Sequence, residues 1–462
     1  MFYIPKLITL IKKNFDYITS IFAVFSKFSL GIIALPIILK QLNSIDYGIW
    51  IFFLSYGSIG SLIDFGFSVV FTRHLGYHIN GISESKTILT TGVKEANLGL
   101  VSLLVSIMKR FYIRAAVLLF FLSIIFFYHL KINLLVGYNS DQILVYISYF
   151  VYVSSVLINM YFLYTECILN ATGMIIQLKI TNILSSLFYL FFVYIFLLNN
   201  YGLLGLSFCQ LMYTCINRVL YYILLRKFRN NHYEDIGLNT EQNNIFKSIS
   251  KVAIKTGLTN LGGFLVNKVS FYLVSFYFSV EVLGSYGLTL NLLSIMTLVS
   301  NTYFQAKLPK LILYNLNKEL FLQKRHYLNA LILQIIIFLS GGLFLFFFNS
   351  HLSGIINSNS LVLDRNFLYI LILMTFLESH LVLCANFITL DDEVPFLKAS
   401  LFTGFFVLLL SFFLIKYFPG IGLYCVILPP FIGQLLYQFW KWPLYFYQKF
   451  DFDLNIFKGG SA

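Results

Sequence analysis

The sequence predicts an all-α polytopic membrane protein: twelve transmembrane helices in two six-helix lobes around a central cavity, both termini cytoplasmic. Three observations carry that reading. Of 462 residues, 59% are hydrophobic and 11% charged, against about 25% charged in an average soluble chain. The mean hydropathy is +0.81, so a soluble fold would have little polar surface to turn to water. Apolar runs of about 20 residues, each able to cross roughly 30 Å of hydrocarbon, recur along the whole chain. Lysine and arginine, finally, concentrate in alternate connections.

Residues 1–18 open with MFYIPKLITLIKKNF. Lysines follow the apolar residues and no small-residue cleavage site is evident, so the segment reads as an interfacial helix and not as a signal peptide. The first lobe, 19–225, holds spans at 19–41, 47–71, 112–131, 142–165, 177–198 and 202–225. In the first of them Pro36, with Gly31 a turn earlier, predicts a kink that can act as a hinge. Residues 98–108, LGLVSLLVSIM, are too short to cross alone and are expected at the membrane surface. The polar segment 226–252 is read as a cytoplasmic loop between the lobes. The second lobe, 253–440, holds spans at 253–279, 282–305, 328–348, 366–389, 396–417 and 420–440, the last interrupted by Pro429–Pro430. Residues 441–462 form a cytoplasmic tail.

With both termini inside, 26 of the 32 lysines and arginines fall in cytoplasmic segments. Four lie in outside loops (Lys40, Lys131, Arg365, Lys416) and two, Lys27 and Lys268, lie within spans. That asymmetry sets the orientation and requires an even number of spans. The net charge of +13 then describes a cytoplasmic face attracted to anionic inner-leaflet lipid, and no nucleic acid is needed to explain it. The five cysteines are odd in number, lie in or beside spans and have no zinc spacing, so neither a disulfide framework nor a metal site is expected. The longest outside loop, about 349–365, is too short for a soluble domain. The function therefore belongs to the bundle, and no enzyme, cofactor or catalytic residue is expected.

Weak internal similarity points to duplication. SIDYGIW (44–50) aligns with VEVLGSY (280–286), matching Gly48 with Gly284 and Trp50 with Tyr286, and YGLLGL (201–206) aligns with FPGIGL (418–423). Six spans per half relate the halves by an axis along the membrane normal, with a site at their interface near the midplane.

The stretch LPIILKQLNSIDYGIWIFFLSYGSIGSLIDFGFSVVFTRHL resembles the first two spans of Wzx-type polysaccharide flippases, members of the multidrug, oligosaccharidyl-lipid and polysaccharide exporter superfamily. The resemblance rests on Tyr47-Gly48 after the first span, on Leu62, Asp64 and Gly66 in the second, and on Arg73 at its inside end. The twelve-span layout and the GLLGL and GIGLY turns extend it over nearly the whole chain. It implies transport of an undecaprenyl-diphosphate-linked oligosaccharide, an O-antigen or capsule repeat unit, across the bacterial inner membrane by alternating access. It also implies the polysaccharide polymerase and chain-length machinery as candidate partners of a protein expected to be monomeric.

Five ionisable groups lie deep in the spans. Counting about 1.5 Å per residue from the outside ends, Lys27 and His380 lie roughly 21 Å in, Lys268 roughly 17 Å and Glu378 roughly 18 Å; Asp64 lies roughly 25 Å in. Each would cost about 2.5–3.5 kcal/mol facing lipid, so all are expected to face the interior or a wet cavity. Lys27 and Asp64, on consecutive antiparallel spans, can form a structural ion pair. Lys27 and Lys268 can equally line a cavity and receive the diphosphate, as compact charges suited to phosphate. Arg73 is either an ordinary membrane anchor or a residue of the cavity mouth. Asp64 would hold Lys27 charged or act as a protonation switch. Glu378 and His380, two residues apart on a helix, do not share a face, and either is a candidate for proton or Na⁺ coupling.

Two other functions compete. An ion-coupled small-molecule exporter of the same superfamily predicts a more apolar cavity with prominent carboxylates, and two midplane lysines would repel cationic drugs. A polysaccharide polymerase or ligase would carry a large outside loop with arginines, and here the largest has only Arg365.

Overall fold

The computed structural model describes residues 34–79, 98–135, 138, 141–232, 241–356, 362–391 and 395–449. These are helical nearly throughout, with no strand among the described residues. Among the described residues eight helices are long and apolar enough to cross a membrane, or nine if a bent pair counts as one span. The first expected span lies mostly outside the described residues, as do Lys27 and Gly31. Its end forms α1, described over residues 34–41, where Pro36 sits.

The chain divides into two compact units. The first comprises Met1–Leu261, Ser275–Gly284 and Ile356–Ser360, and the second Gly262–Val274, Ser285–Ile355 and Leu361–Ala462.

In the first unit the second expected span is not one rod. It runs as α2 (Ser44–Asp64) and α3 (Phe67–Ile79), bent by 46°. Asn43 caps its start by accepting from the Asp46 amide at 2.7 Å. The break falls at Phe65 and Gly66, both left-handed with φ of 49° and 76°. The Phe65 ring packs onto Gly257 of α9 (Glu241–Asn267) so closely that any Cβ there would displace it. α4 (Leu98–His129) corrects the reading of 98–108, because that segment is the first three turns of a helix continuous with the third span. Val101, Leu103, Leu104, Val105 and Met108 are buried. At about 1.5 Å per residue, 32 residues exceed the hydrocarbon thickness, so a short apolar run need not lie flat when its helix projects beyond the bilayer.

α5 (Gln142–Tyr161) and α6 (Leu163–Ala171) meet at Phe162, and α7 (Ile175–Leu198) and α8 (Gly202–His232) complete the bundle. α8 packs against both α5 and α7. Aromatic contacts fasten α2 to α4 and α5: the Trp50 and Tyr152 ring centroids lie 5.6 Å apart, and the Tyr56 hydroxyl donates to the Leu119 carbonyl at 2.9 Å. α4 turns outward a stripe of Ile113, Val117, Phe121, Ile124 and Tyr128, each about half exposed or more. A contiguous apolar stripe of this kind fits a lipid-facing surface. Helix occupies much of the segment read as the loop 226–252, since α8 runs to His232 and α9 starts at Glu241.

The span expected at 253–279 is split, as α9 gives way to α10 (Val269–Tyr277) at Lys268, which belongs to the second unit. α11 (Val280–Leu316) and α12 (Leu320–Ile356), 37 residues each, form a hairpin through a left-handed Lys318. α13 (Arg365–Ile388) and α14 (Leu397–Tyr417) follow. Pro429 and Pro430 do not interrupt the last span; both are buried inside α15 (Tyr424–Leu436), and the break comes at Tyr437. The tail begins with α16 (Gln438–Lys449), which packs against α13 and buries Trp442 and Phe446.

Candidate functional site

The first unit holds a half-open cavity of about 670 Å³, lined by α2, α5, α6, α7 and α8. Its chemistry is set by the join of α5 and α6. A helix that stops leaves carbonyls without intrahelical partners and a partial negative charge at its end. Arg218 of α8, only 8% exposed, supplies the cation. Its Nη1 donates to the Phe162 carbonyl and its Nη2 to the Asn159 carbonyl, each at 3.3 Å. Nη2 also reaches the Asn159 side-chain oxygen. Glu166 approaches Nη1 at 4.0 Å, and the Tyr221 ring centroid lies 5.3 Å from the guanidinium carbon. The buried Nε has no partner, leaving hydrogen-bonding capacity that no protein group fills.

Around this arginine the lining is polar. The Asn182 side-chain oxygen accepts from Asn217 at 2.8 Å and from the Tyr221 hydroxyl at 2.6 Å, which leaves the Asn182 amide nitrogen outside both bonds. No hydrogen bond of the Gln210 side chain occurs among the described residues, and Lys179 adds a second cation to the wall. Lining charges are therefore Arg218 and Lys179 against Glu166. The Glu166 side chain is 36% exposed. The orientation count by itself assigns Arg218 and Lys179 to the cytoplasmic anchors. The signal that marks Arg218 is its place inside the span at 202–225, with Asn159, Asn182 and Asn217 likewise inside spans.

Asp64 lies elsewhere, at the α2–α3 break. It is 8% exposed and caps α3. It accepts from the Ser68 amide at 3.2 Å, the Ser68 hydroxyl at 2.6 Å and the Tyr112 hydroxyl at 2.9 Å. These groups occupy the carboxylate among the described residues, and the pairing expected with Lys27 falls outside them. Arg73 is exposed on α3 and its Nε donates to the Tyr77 hydroxyl at 2.7 Å. It does not line the cavity.

In the second unit Lys268 sits at the α9–α10 join, and the Glu378 carboxylate meets the Asn267 side chain and the field of Lys268. His380 faces other groups. Its Nε2 lies 3.4 Å from the Tyr447 hydroxyl and 3.9 Å from the Cys384 sulfur, and the Tyr327 hydroxyl is 3.0 Å from that of Tyr447. Its Nδ1 is buried and without a partner. Glu378 and His380 thus belong to different clusters. No grouping of three metal-ligating side chains occurs among the described residues.

No family model and no curated protein sequence matches this chain. Solved structures do. The lipid II flippase MurJ in an inward closed conformation superposes with a TM-score of 0.59 at 13% identity, over 93% of this chain and 89% of that one. The MATE multidrug transporter DinF-BH gives 0.55 at 17% identity, over 96% and 95%. A MOP superfamily transporter from Pyrococcus furiosus, described by a binding pocket of reversed polarity, gives 0.53 at 13% identity, over 94% and 95%. At such identities the likeness is one of fold. The chain is a multi-pass membrane protein with the helical fold of these transporters.

Proposed function

From the premise that this chain carries the fold of MOP superfamily transporters, we propose that it is a flippase for an undecaprenyl-diphosphate-linked oligosaccharide in the bacterial inner membrane. It would work by alternating access. The observation that carries the reading is a polar, net cationic cavity built inside an apolar bundle. Its volume of about 670 Å³ lies within the roughly 300–1,000 Å³ typical of organic-ligand sites, and one ion needs far less. Burying the Arg218 guanidinium and several amides in a membrane bundle is costly unless they are used. Their sign and hydrogen-bonding character suit an anionic, hydroxylated headgroup and disfavour an organic cation. Lys268 and Lys27 remain candidates for the diphosphate, Arg73 for the cavity mouth, and Glu378 and His380 for coupling to H⁺ or Na⁺.

The test is deletion of the gene, with assay of surface polysaccharide and of the lipid-linked repeat unit. Loss of polymer with the intermediate accumulating on the inner leaflet is the expected result. Unchanged surface polysaccharide would sink the reading.

A further inference from the structure

Whatever the cavity carries, we propose that the second unit holds a separate site for the phosphate monoester headgroup of a membrane lipid. Lys310 of α11 forms it with Arg325 and His326 of α12, and Lys307 stands beside it. On α11, Tyr303, Lys307, Lys310 and Tyr314 are spaced i, i+4, i+7 and i+11, which puts all four on one face. Both ends of that stripe touch the same imidazole. The Tyr303 and Tyr314 ring centroids lie 6.0 Å and 5.8 Å from that of His326. At about 1.5 Å per residue the two tyrosines start roughly 16 Å apart, so His326 sits opposite the middle of the stripe. The middle holds Lys307 and Lys310, and with Arg325 theirs are the charges whose field reaches His326.

The imidazole is held in one orientation. The Asn329 amide donates to the Tyr303 hydroxyl at 3.2 Å, which leaves the hydroxyl proton for His326 Nδ1 at 2.8 Å. Nδ1 is then the acceptor, and the neutral ring carries its proton on Nε2. The Tyr314 ring, stacked at 15° to the imidazole, fixes its plane. Lys310 and Arg325 are exposed, and neither pairs with a carboxylate among the described residues. An ammonium, a guanidinium and a ring N–H are thus brought together. Arginine takes phosphate oxygens in pairs and lysine takes them as a point charge. A phosphate monoester offers three terminal oxygens to these donors, where a diester offers two. An ordinary membrane anchor needs charge alone, and a histidine fixed by Tyr303 and Tyr314 is surplus to it.

Depth selects a lipid over a soluble anion. The stretch of α11 able to cross a membrane ends at Gln305, so Lys307 and Lys310 fall about 3 and 8 Å past it. The facing stretch of α12, Leu320–Phe347, has 28 residues, and at about 42 Å its first turns also outrun roughly 30 Å of hydrocarbon. That is the level of lipid headgroups. Beneath the polar face Phe304, Leu311, Tyr327 and Ala330 are buried in one cluster, which gives the site a packed support.

Calorimetric titration of the full chain in detergent with dioctanoyl phosphatidic acid, dioctanoyl phosphatidylglycerol and inorganic phosphate tests the assignment. Phosphatidic acid is expected to bind at least about tenfold more tightly than either of the others. Lys310→Gln and Arg325→Gln, at exposed positions that folding tolerates, are each expected to weaken it at least about fivefold. His326→Phe keeps a ring against Tyr314, removes the Nε2 donor and is expected to do the same. Lys398→Gln, exposed on α14, removes the same charge elsewhere and is expected to change binding less than about twofold. Equal weakening by Lys398→Gln and Lys310→Gln would mean attraction to basic charge at large and overturn the site. Equal affinity for phosphatidylglycerol would overturn the monoester, equal affinity for inorganic phosphate the lipid, and binding of none the whole proposal. The gene deletion tests the cavity's cargo separately, so either reading can fail alone.

Discussion

Asp64 and Arg218 are both nearly buried charges at places where a helix is interrupted, and they have opposite fates. Asp64 stands at the start of α3, where free amides favour an anion, and its carboxylate is occupied by Ser68 and Tyr112. Arg218 stands over the end of α5, where the Asn159 and Phe162 carbonyls accept from it, yet its Nε is unfilled and it borders a cavity. The contrast teaches that a charge inside a membrane bundle is not in itself a site. What distinguishes a structural charge from a functional one is the valence left over after the helix ends have been satisfied.

That comparison can be broken experimentally. The largest effect is expected from Arg218→Ala, which strips partners from two carbonyls and from Glu166. It should destabilise the protein by about 3 kcal/mol, read as a fall in thermal unfolding temperature in detergent, with the proposed transport lost as well. Asp64→Ala should cost about 2 kcal/mol, through a lost cap and an orphaned Tyr112 hydroxyl. Asp64→Asn keeps a capping oxygen and should cost about 1 kcal/mol or less, with transport near normal. A folded Asp64→Asn protein that fails to transport would make Asp64 a charge-dependent switch and erase the distinction drawn here. Gly66→Ala should cost about 1–2 kcal/mol, because the left-handed backbone disfavours a side chain and the added carbon would lie 2.9 Å from the Thr256 methyl. Arg73→Ala, on an exposed face, should change stability by no more than about 0.5 kcal/mol.

Much of the fold was legible in hydrophobic run length. The spans expected at 142–165, 177–198, 202–225, 366–389 and 396–417 correspond to helices found, because a run of apolar residues long enough to cross has few other uses. Helix breaks were not legible in the same way. Phe65-Gly66, Lys268 and Tyr437 interrupt helices by backbone geometry that no proline marks, whereas Pro429–Pro430, which do look like breakers, sit inside one. The ends of spans misled for a related reason. Lys179 and Arg218 lie within about a turn or two of the basic segments, so a rule for orientation absorbed them as anchors. Only packing shows that Arg218 turns inward to Asn159 and Phe162.

Surface polysaccharide restored to a gene-deletion strain by single substitutions addresses the central claim most directly. If leftover valence marks the site, Asp64→Asn restores it within about twofold of the native chain, and Gln210→Ala, matched for protein level, restores it at least about fivefold less. Loss with Asp64→Asn and full restoration by Gln210→Ala would contradict the account.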